Sequence, residues 1–166
     1  MKRSWLNKFL PTVAVIATMC CGCSDDVCYD NTSALALLRF YTSGTTTQVS
    51  PVATSIGGIG VPGDTLLLDS VTAGDVYLPL RPNVTTSQFK IRLCRIADND
   101  TTFVTDTLTV GYTPLPYFVS HECGAMYHFR LNDVDVTRHL IDSVAIAAAV
   151  VTNVPQVSLR IYIPTD

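Results

Sequence analysis

The stretch Phe89-Lys90-Ile91-Arg92-Leu93-Cys94 alternates apolar and polar side chains with a period of two residues. Successive side chains of a β-strand point to opposite faces of the sheet, so this pattern predicts a half-buried strand. Its apolar members are expected in the core, and Lys90, Arg92 and Cys94 are expected on the solvated face. One such strand needs others to pair with, and the sequence supplies them on both sides.

Similar short segments run along most of the chain. They predict strands at residues 34–42, 52–61, 65–68, 76–80, 101–105, 108–112, 125–131, 144–151 and 157–163. Gly57 and Gly58 indicate a kinked or bulged strand rather than a phosphate loop, because no lysine follows them. Asn132-Asp133 reads as a turn, and Pro114 and Pro116 are expected to break any central-strand pairing.

Turn-forming residues separate these segments at intervals of about 8–12 residues, which is typical of sandwiches. No long segment shows the 3.6-residue period of a helix. We therefore predict an all-β fold for residues 34–166: a single antiparallel β-sandwich, immunoglobulin-like in the broad sense.

The first 22 residues have the layout of a secretory signal peptide. Lys2, Arg3 and Lys8 precede an almost wholly apolar run at residues 9–19. That run is too short to cross a membrane, which takes about 20 residues. We assign residues 1–22 to the signal and residues 23–33 to an acidic and polar tether.

Directly after the apolar run stands Met19-Cys20-Cys21-Gly22-Cys23-Ser24-Asp25-Asp26, which resembles the lipobox at which bacterial lipoprotein precursors are acylated and cut. Cys23 is the expected lipidation site because only Cys23 follows a small residue, while Cys20 and Cys21 compete with it. Asp25 and Asp26 resemble the export signal of surface lipoproteins in Bacteroidota. The resemblance implies an outer-membrane lipoprotein that faces the cell surface or the periplasm. The alternative is an ordinary signal peptide that releases a free exported protein.

The chain that remains after the signal is acidic. Its 14 acidic residues stand against eight basic ones once Lys2, Arg3 and Lys8 are removed, a formal charge of −6. Nucleic acid is excluded as a partner, since phosphate binding needs clustered lysine and arginine. The expected partners are the membrane, through the lipid, and an envelope protein or glycan.

Four segments together resemble a known family. They are residues 118–127 (FVSHECGAMY), 137–144 (TRHLIDSV), 27–32 (VCYDNT) and 76–80 (VYLPL). They are similar to Bacteroidota envelope proteins of domain of unknown function 6452, over the chain from about Cys28 onward. The family has no assigned activity or ligand, so the resemblance implies localisation only.

Three cysteines lie beyond the tether, at Cys28, Cys94 and Cys123. An exported compartment permits disulfides, and three cysteines leave one unpaired. We favour Cys28 with Cys123, since Cys94 is in phase with Lys90 and Arg92, although sequence alone does not fix the connectivity. The recurring cysteines of the family match Cys28 and Cys123, which favours the same pair.

The densest set of candidate metal or catalytic side chains is His121, Glu122, Cys123 and His128. Zinc needs three or four convergent ligands, and alternation with Tyr127 places His128 on an exposed face. A hydrolase would need a Cys123 thiolate beside His128 or His139. A turn with a disulfide cysteine and a surface histidine explains the set more simply, so no cofactor is expected. Residues 98–100 (Asp-Asn-Asp) lack the ligand spacing of a calcium loop and are read as a turn.

The sequence therefore favours a non-catalytic structural or interaction module of the cell envelope. The alternatives are a small envelope hydrolase or metal-binding protein, and a surface glycan-binding lipoprotein. Glycan platforms use exposed aromatic rings, but the only tryptophan, Trp5, lies in the signal. The tyrosines that remain for such a platform are Tyr29, Tyr41, Tyr112, Tyr117 and Tyr162. Possible O-glycosylation sites, by resemblance to exported Bacteroidota proteins, are Thr65, Ser70, Thr101, Thr107 and Ser143.

Overall fold

A computed structural model describes Cys28 and residues 32–61, 66–97 and 100–164, and within them only β-strands occur as regular elements. No helix among these residues is long and apolar enough to cross a membrane. The signal, Cys23 and most of the tether lie outside the described residues. The strands are β1 Leu35–Thr42, β2 Thr54–Ile59, β3 Leu66–Val71, β4 Asp75–Pro79, β5 Thr86–Ala97, β6 Asp100–Ser120, β7 Gly124–Val136, β8 Ser143–Ile146, β9 Val150–Val151 and β10 Val157–Ile163.

The strands form two sheets that share one core. The four-stranded sheet has the order β4-β1-β10-β8, and the six-stranded sheet has the order β3-β2-β5-β6-β7-β9. The predicted all-β sandwich is confirmed. One pair departs from the antiparallel prediction, because β1 and β10 run parallel in the middle of the smaller sheet.

The core lies between the sheets and consists of the alternating apolar residues. Phe89, Ile91 and Leu93 are all buried, as the opening pattern predicted. Lys90 on the other face is exposed. The largest fully buried side chains are Leu38, Phe40, Ile56, Leu78, Ile91, Leu93, Leu108, Val110, Tyr112, Ile141, Leu159 and Ile161.

The glycine-rich segment forms β2, and its pairing with β3 is irregular, as predicted. The register shifts between Thr54 and Ile56 and again between Ile56 and Gly57. Across from the first shift, Ser70 has a φ of 52°, a left-handed backbone conformation that side chains rarely adopt. The Ser70 N–H donates to Ser55 Oγ at 3.0 Å, which holds this irregular turn of the strand in place.

The two prolines limit pairing on one side of β6 only. β5 begins at Thr86, opposite Gly111, so β6 has no β5 neighbour beyond that point. β6 continues through Pro114 and Pro116 to Ser120 while pairing with β7 alone. A proline is tolerated where the strand has an open side, because no ladder bond is lost there.

The prediction of a turn at Asn132-Asp133 was wrong. Gly111 pairs with Asp133 and Tyr112 with Leu131, so Asn132 is an extra residue inside the continuous strand β7. Such a bulge uses the same polar residues as a turn but bends the strand without reversing it. The Asp133 carboxylate occupies the space that a Cβ at Gly111 would take, so a larger residue here would require the exposed Asp133 side chain to change rotamer.

The apolar run at 144–151 is two strands rather than one. β8 pairs with β10 in the smaller sheet, whereas β9 pairs with β7 in the larger sheet. The three alanines between them cross from one sheet to the other, with Ala147 N–H donating to Ser158 O at 2.8 Å and Ala149 O accepting from Leu131 N–H at 2.8 Å. The continuous apolar run therefore spans two short strands and an exposed or half-buried alanine crossing, which local periodicity does not distinguish from one buried strand.

Tyr112 ties the middle of the six-stranded sheet to the β4–β5 connection. Its hydroxyl donates to Arg81 O at 3.1 Å, accepts from Arg81 N–H at 3.1 Å and lies 2.7 Å from Ser87 Oγ. We expect Tyr112→Phe to lower the free energy of unfolding by about 1–2 kcal/mol, because buried polar groups lose their partner.

Urea unfolding followed by circular dichroism measures this change. Tyr77→Phe is the matched control, since the Tyr77 side chain is 47% exposed on β4. We expect that control to change the unfolding free energy by less than about 0.5 kcal/mol. Equal midpoints for Tyr112→Phe and the wild type would show that the buried hydroxyl contributes nothing.

Candidate functional site

The candidate surface feature is a hairpin at the end of β6 and the start of β7, which β9 joins only at Phe129 and Arg130. We call residues 113–130 the hairpin arm. Its strands pair from Thr113 with Arg130 to Ser120 with Gly124, and residues 121–123 form the turn at its tip. Since β5 is absent beside this part of β6, the arm extends past the centre of the sheet.

A disulfide holds the tip of the arm to the N-terminal end of the domain. Cys123 is bonded to Cys28 across a sequence separation of 95 residues, with the two Cα atoms 4.8 Å apart. The predicted pair is therefore confirmed. Cys94 has a free, half-buried thiol, as the strand pattern indicated.

The turn itself is polar and carries one charge. The Cys123 N–H donates to Ser120 Oγ at 3.0 Å. The Glu122 N–H and the Ser120 hydroxyl bind the Glu122 carboxylate and hold its pKa below its usual value. Glu122 is therefore an ionised, solvent-exposed group at neutral pH.

One face of the arm near its tip is apolar and exposed. The Phe118 side chain is 60% exposed and the Tyr127 side chain 43% exposed. Pro116 pairs with Tyr127 and Phe118 pairs with Ala125, so all four point to the same face. We call these four residues the aromatic tip face.

The opposite face of the arm is partly buried, because Met126 packs into the core while Tyr117, which pairs with Met126, is 47% exposed. Met126 is 5% exposed and belongs to the core. Tyr117 stacks on the His128 ring with centroids 4.3 Å apart and planes 19° apart. His128 Nε2 is buried and has no hydrogen-bond partner among the described residues.

These burials correct the sequence prediction for Tyr127 and His128. Strict alternation put Tyr127 with the buried Phe129 and put His128 on an exposed face. Two-stranded ribbons twist more strongly than wide sheets. The face that covers the core at Phe129 has therefore turned outward at Tyr127, and the face of Met126 and His128 has turned inward.

The candidate metal set does not converge. His121 contacts Phe118 edge-on with ring centroids 5.6 Å apart, whereas His128 stacks on Tyr117. Adjacent strand residues point to opposite faces, so the two histidines lie on opposite sides of the arm. Across the part of the chain that the structure describes, no three ligating side chains are grouped to hold a metal ion. The Cys123 sulfur is in the disulfide and is not a thiolate nucleophile in this oxidised form.

His139 belongs to a different site, a carboxylate anchor at Asp106 in β6. Asp106 is 1% exposed. Its Oδ1 accepts from Thr137 Oγ1 at 2.8 Å and His139 N–H at 2.9 Å, and lies 3.0 Å from His139 Nδ1. Its Oδ2 accepts from the N–H groups of Leu140 and Ile141 at 2.9 and 3.0 Å.

The anchor keeps Asp106 ionised. Burial by itself raises the pKa of Asp106, but the three backbone donors and the Thr137 hydroxyl outweigh it and leave the pKa below its usual value. The carboxylate thus accepts the hydrogen bonds of N–H groups in the loop between β7 and β8. Within the described part of the chain, these N–H groups have no neighbouring strand to supply acceptors and would otherwise be unsatisfied. This role is structural, and it includes the backbone and ring of His139.

Two cavities flank β2 where Gly57 and Gly58 lack side chains. One, of about 230 Å³, opens between the sheets and is lined mainly by apolar groups, including Val61, Leu67 and Phe89. The other, of about 280 Å³, is lined by Ser55, Asp69, Lys90 and Arg92 with the glycines. Arg92 lies over the Phe103 ring at 3.8 Å, so its guanidinium already has a partner.

The tyrosines considered for a glycan platform are not grouped as one surface. Tyr112 is fully buried, and Tyr41 packs against Tyr162 in the smaller sheet in a tilted arrangement with ring centroids 5.8 Å apart. Tyr117 is 47% exposed on the arm. Tyr29 lies outside the described residues.

The predicted O-glycosylation sites differ in accessibility. Ser70 and Thr101 are exposed, and Thr107 and Ser143 are half-buried within strands, while Thr65 lies outside the described residues. The Asp106 that precedes Thr107 is engaged in the anchor. Glycosylation at these five positions stays a prediction.

Sequence reasoning missed the aromatic tip face, although a signal was present. Tyr117 and Phe118 are adjacent in one strand, so one of them must leave the core side. Pro114 and Pro116 marked the same region as a strand with an open side. Together these features indicated an exposed aromatic residue near the cysteine turn.

Comparison with known proteins identifies the family. No curated protein and no solved structure matches the chain. The profile of a family of unknown function, DUF6452, matches residues 53–163, a range that runs from just before β2 to the end of β10. It includes the hairpin arm and Cys123 but begins after Cys28. The chain belongs to the DUF6452 family of unknown function.

Proposed function

We propose that the protein is a lipid-anchored, non-catalytic interaction module of the cell envelope, attached to the outer membrane through Cys23. The observation that carries this proposal is the disulfide between Cys28 and Cys123. It fixes the tip of the hairpin arm to a residue only five positions beyond the candidate lipid site. The proposed lipid anchor at Cys23 and the hairpin arm are thereby linked through the short segment from Cys23 to Cys28.

The disulfide also supports an exported location. Disulfides form and persist in oxidising compartments and are rare where thiols are kept reduced. A single acyl chain binds membranes only marginally, whereas two or more chains give stable anchoring. Several chains on one cysteine, as in the bacterial lipoproteins that the N-terminal segment resembles, would make the tether essentially permanent. The domain then serves to hold a protein or glycan partner near the membrane.

Cys23→Ala is expected to abolish lipid attachment. The full chain is produced in a bacterial host that processes lipoproteins and is labelled with a clickable fatty-acid analogue. Label on the wild type should disappear in Cys23→Ala and persist in Cys94→Ala, because only Cys23 follows a small residue in the cysteine cluster.

Two results would contradict this assignment. Label that survives Cys23→Ala and is lost in Cys20→Ala or Cys21→Ala would move the site. A wild-type protein without label, released as a free exported protein, would overturn the anchor itself.

Crosslinking in cells, followed by affinity isolation of the lipidated protein, tests the interaction role. A defined envelope protein or glycan that is recovered with the wild type supports the module. Metal analysis of the same preparation tests the opposing class. Stoichiometric zinc, or a measured hydrolysis lost in a still-folded Cys123→Ala variant, would replace the module by an enzyme or metal protein.

A further inference from the structure

We propose that the aromatic tip face lies against the membrane surface, at the boundary between lipid headgroups and acyl chains. The inference rests on the proposed lipid anchor and adds an orientation to it. The domain would meet the bilayer with the hairpin arm, and both sheets would extend away from it.

The first argument is the chemistry of the face. Phe118 is 60% exposed and Tyr127 is 43% exposed, and they share the face with Pro116 and Ala125. Leaving aromatic rings in water forgoes the stabilisation that their burial provides. Tyrosine in particular is enriched at membrane interfaces, since its ring is apolar and its hydroxyl can remain hydrated.

The second argument is reach. Cys28 is five residues from Cys23, and an extended chain of that length spans at most about 18 Å. Because the Cys28 and Cys123 Cα atoms are 4.8 Å apart, the arm tip stays within a short radius of the lipid-bearing residue. The face is therefore presented to the bilayer at a high effective concentration, and even a weak intrinsic affinity produces contact.

The third argument is charge, which limits how deeply the tip of the arm enters the bilayer. Glu122 at the tip is exposed and ionised, with a lowered pKa, and an ion does not enter hydrocarbon without a large cost. His121 lies beside Phe118 at the same end of the arm. The polar turn thus fits the headgroup layer while the rings reach the acyl boundary, a burial of about 5–10 Å as in interfacial helices.

Site-specific tryptophan fluorescence in vesicles tests this placement. The single tryptophan, Trp5, lies in the signal that is removed when Cys23 is lipidated, so each introduced tryptophan is the only one in the lipidated protein. The variants are Phe118→Trp and Tyr127→Trp, with Tyr77→Trp as the control, because Tyr77 is 47% exposed on the edge strand β4 of the other sheet. The full-chain lipidated proteins are reconstituted into phosphatidylethanolamine–phosphatidylglycerol vesicles with or without brominated acyl chains.

We expect Phe118→Trp and Tyr127→Trp to show blue-shifted emission and to lose about half or more of it to the brominated lipid, as interfacial burial requires. Tyr77→Trp should keep the emission of a hydrated indole. Flotation of the vesicles measures, in the same samples, the fraction of protein that is held on the membrane by its lipid.

Each other outcome overturns the inference in a distinguishable way. Flotation with equal quenching at all three positions leaves the anchor intact and removes the orientation. Blue-shifted emission without quenching by brominated lipid means that a second copy, a partner protein or a glycan covers the face. Loss of flotation in the wild type removes the anchor, and the membrane orientation falls with it.

Discussion

Asp106→Asn is expected to lower the free energy of unfolding by about 3–5 kcal/mol, one of the largest effects of any single side-chain change in this protein. The substitution keeps the shape of the side chain but turns one acceptor oxygen into a donor. Whichever way the amide is oriented, it faces at least two N–H or O–H donors that now lack an acceptor. Burial of Asp106 prevents water from taking over that role.

Asp135→Asn is the matched control. It removes the same charge from the neighbouring strand β7, where Asp135 pairs with Thr109 and is solvent-exposed. We expect a change within about 0.5 kcal/mol there. Urea titrations with an unchanged m-value report both variants, and the Asp106 anchor would be refuted by equal midpoints for the two.

The pH dependence of stability gives a second readout with a defined sign. The pKa of Asp106 is lower in the folded protein than its usual 3.8, so its contribution is complete above that value. The contribution is lost as the pH falls through the lower folded-state pKa. Asp75, whose pKa is lowered by Arg39, contributes to the wild-type profile with the same sign. The difference between wild type and Asp106→Asn, which should shrink in acid, isolates Asp106.

Local periodicity predicted the strands well because burial on one sheet face imposes a period of two. The segments around Phe89, Leu78 and Ile161 required no knowledge of their partners. The cysteine pair was also predictable, since the chain offers few choices once Cys94 is placed on the outer face. What local pattern cannot encode is which strands become neighbours, and the parallel pairing of β1 with β10 was not foreseen.

The misread segments are those where a residue type serves two structural roles. Asn132 and Asp133 suit a turn or a bulge, and only the partner strand decides between them. Asp106-Thr107 resembled a glycosylation site or a turn, yet Asp106 anchors a loop more than thirty residues later in the chain. The aromatic tip face depends on the twist of the arm, which rotates Tyr127 away from the side that Phe129 occupies.

Removal of the disulfide is the other large effect that we expect. The double variant Cys28→Ser, Cys123→Ser should lose about 2–5 kcal/mol of unfolding free energy. The bond closes a loop with a sequence separation of 95 residues. In the chain-entropy description a loop of this size restricts the unfolded state by about 4.7 kcal/mol, and strain in the folded state subtracts from that figure.

The loss should be local as well as global, because the arm depends on the bond. Beyond Gly111 the β6 strand of the arm pairs with β7 alone, and the cystine links the tip of this two-stranded part to Cys28. Amide exchange should therefore accelerate first near the tip of the arm, as expected for a weakly held unit. In vesicles the double variant that also carries Phe118→Trp should still float but be quenched less, since its tip is no longer bound near Cys23.

Chemical unfolding of the oxidised and reduced wild type, beside the double variant, measures the global effect. Cys94→Ser is the control, since Cys94 has a free thiol and its loss should change stability by less than about 1 kcal/mol. Reduced wild type and double variant should share one midpoint, well below that of the oxidised protein. An unchanged midpoint on reduction, or a bridge that contains Cys94 in peptide mapping, would show that the cystine does not stabilise the arm. The proposed link between the lipid on Cys23 and the tip of the arm would then also be refuted.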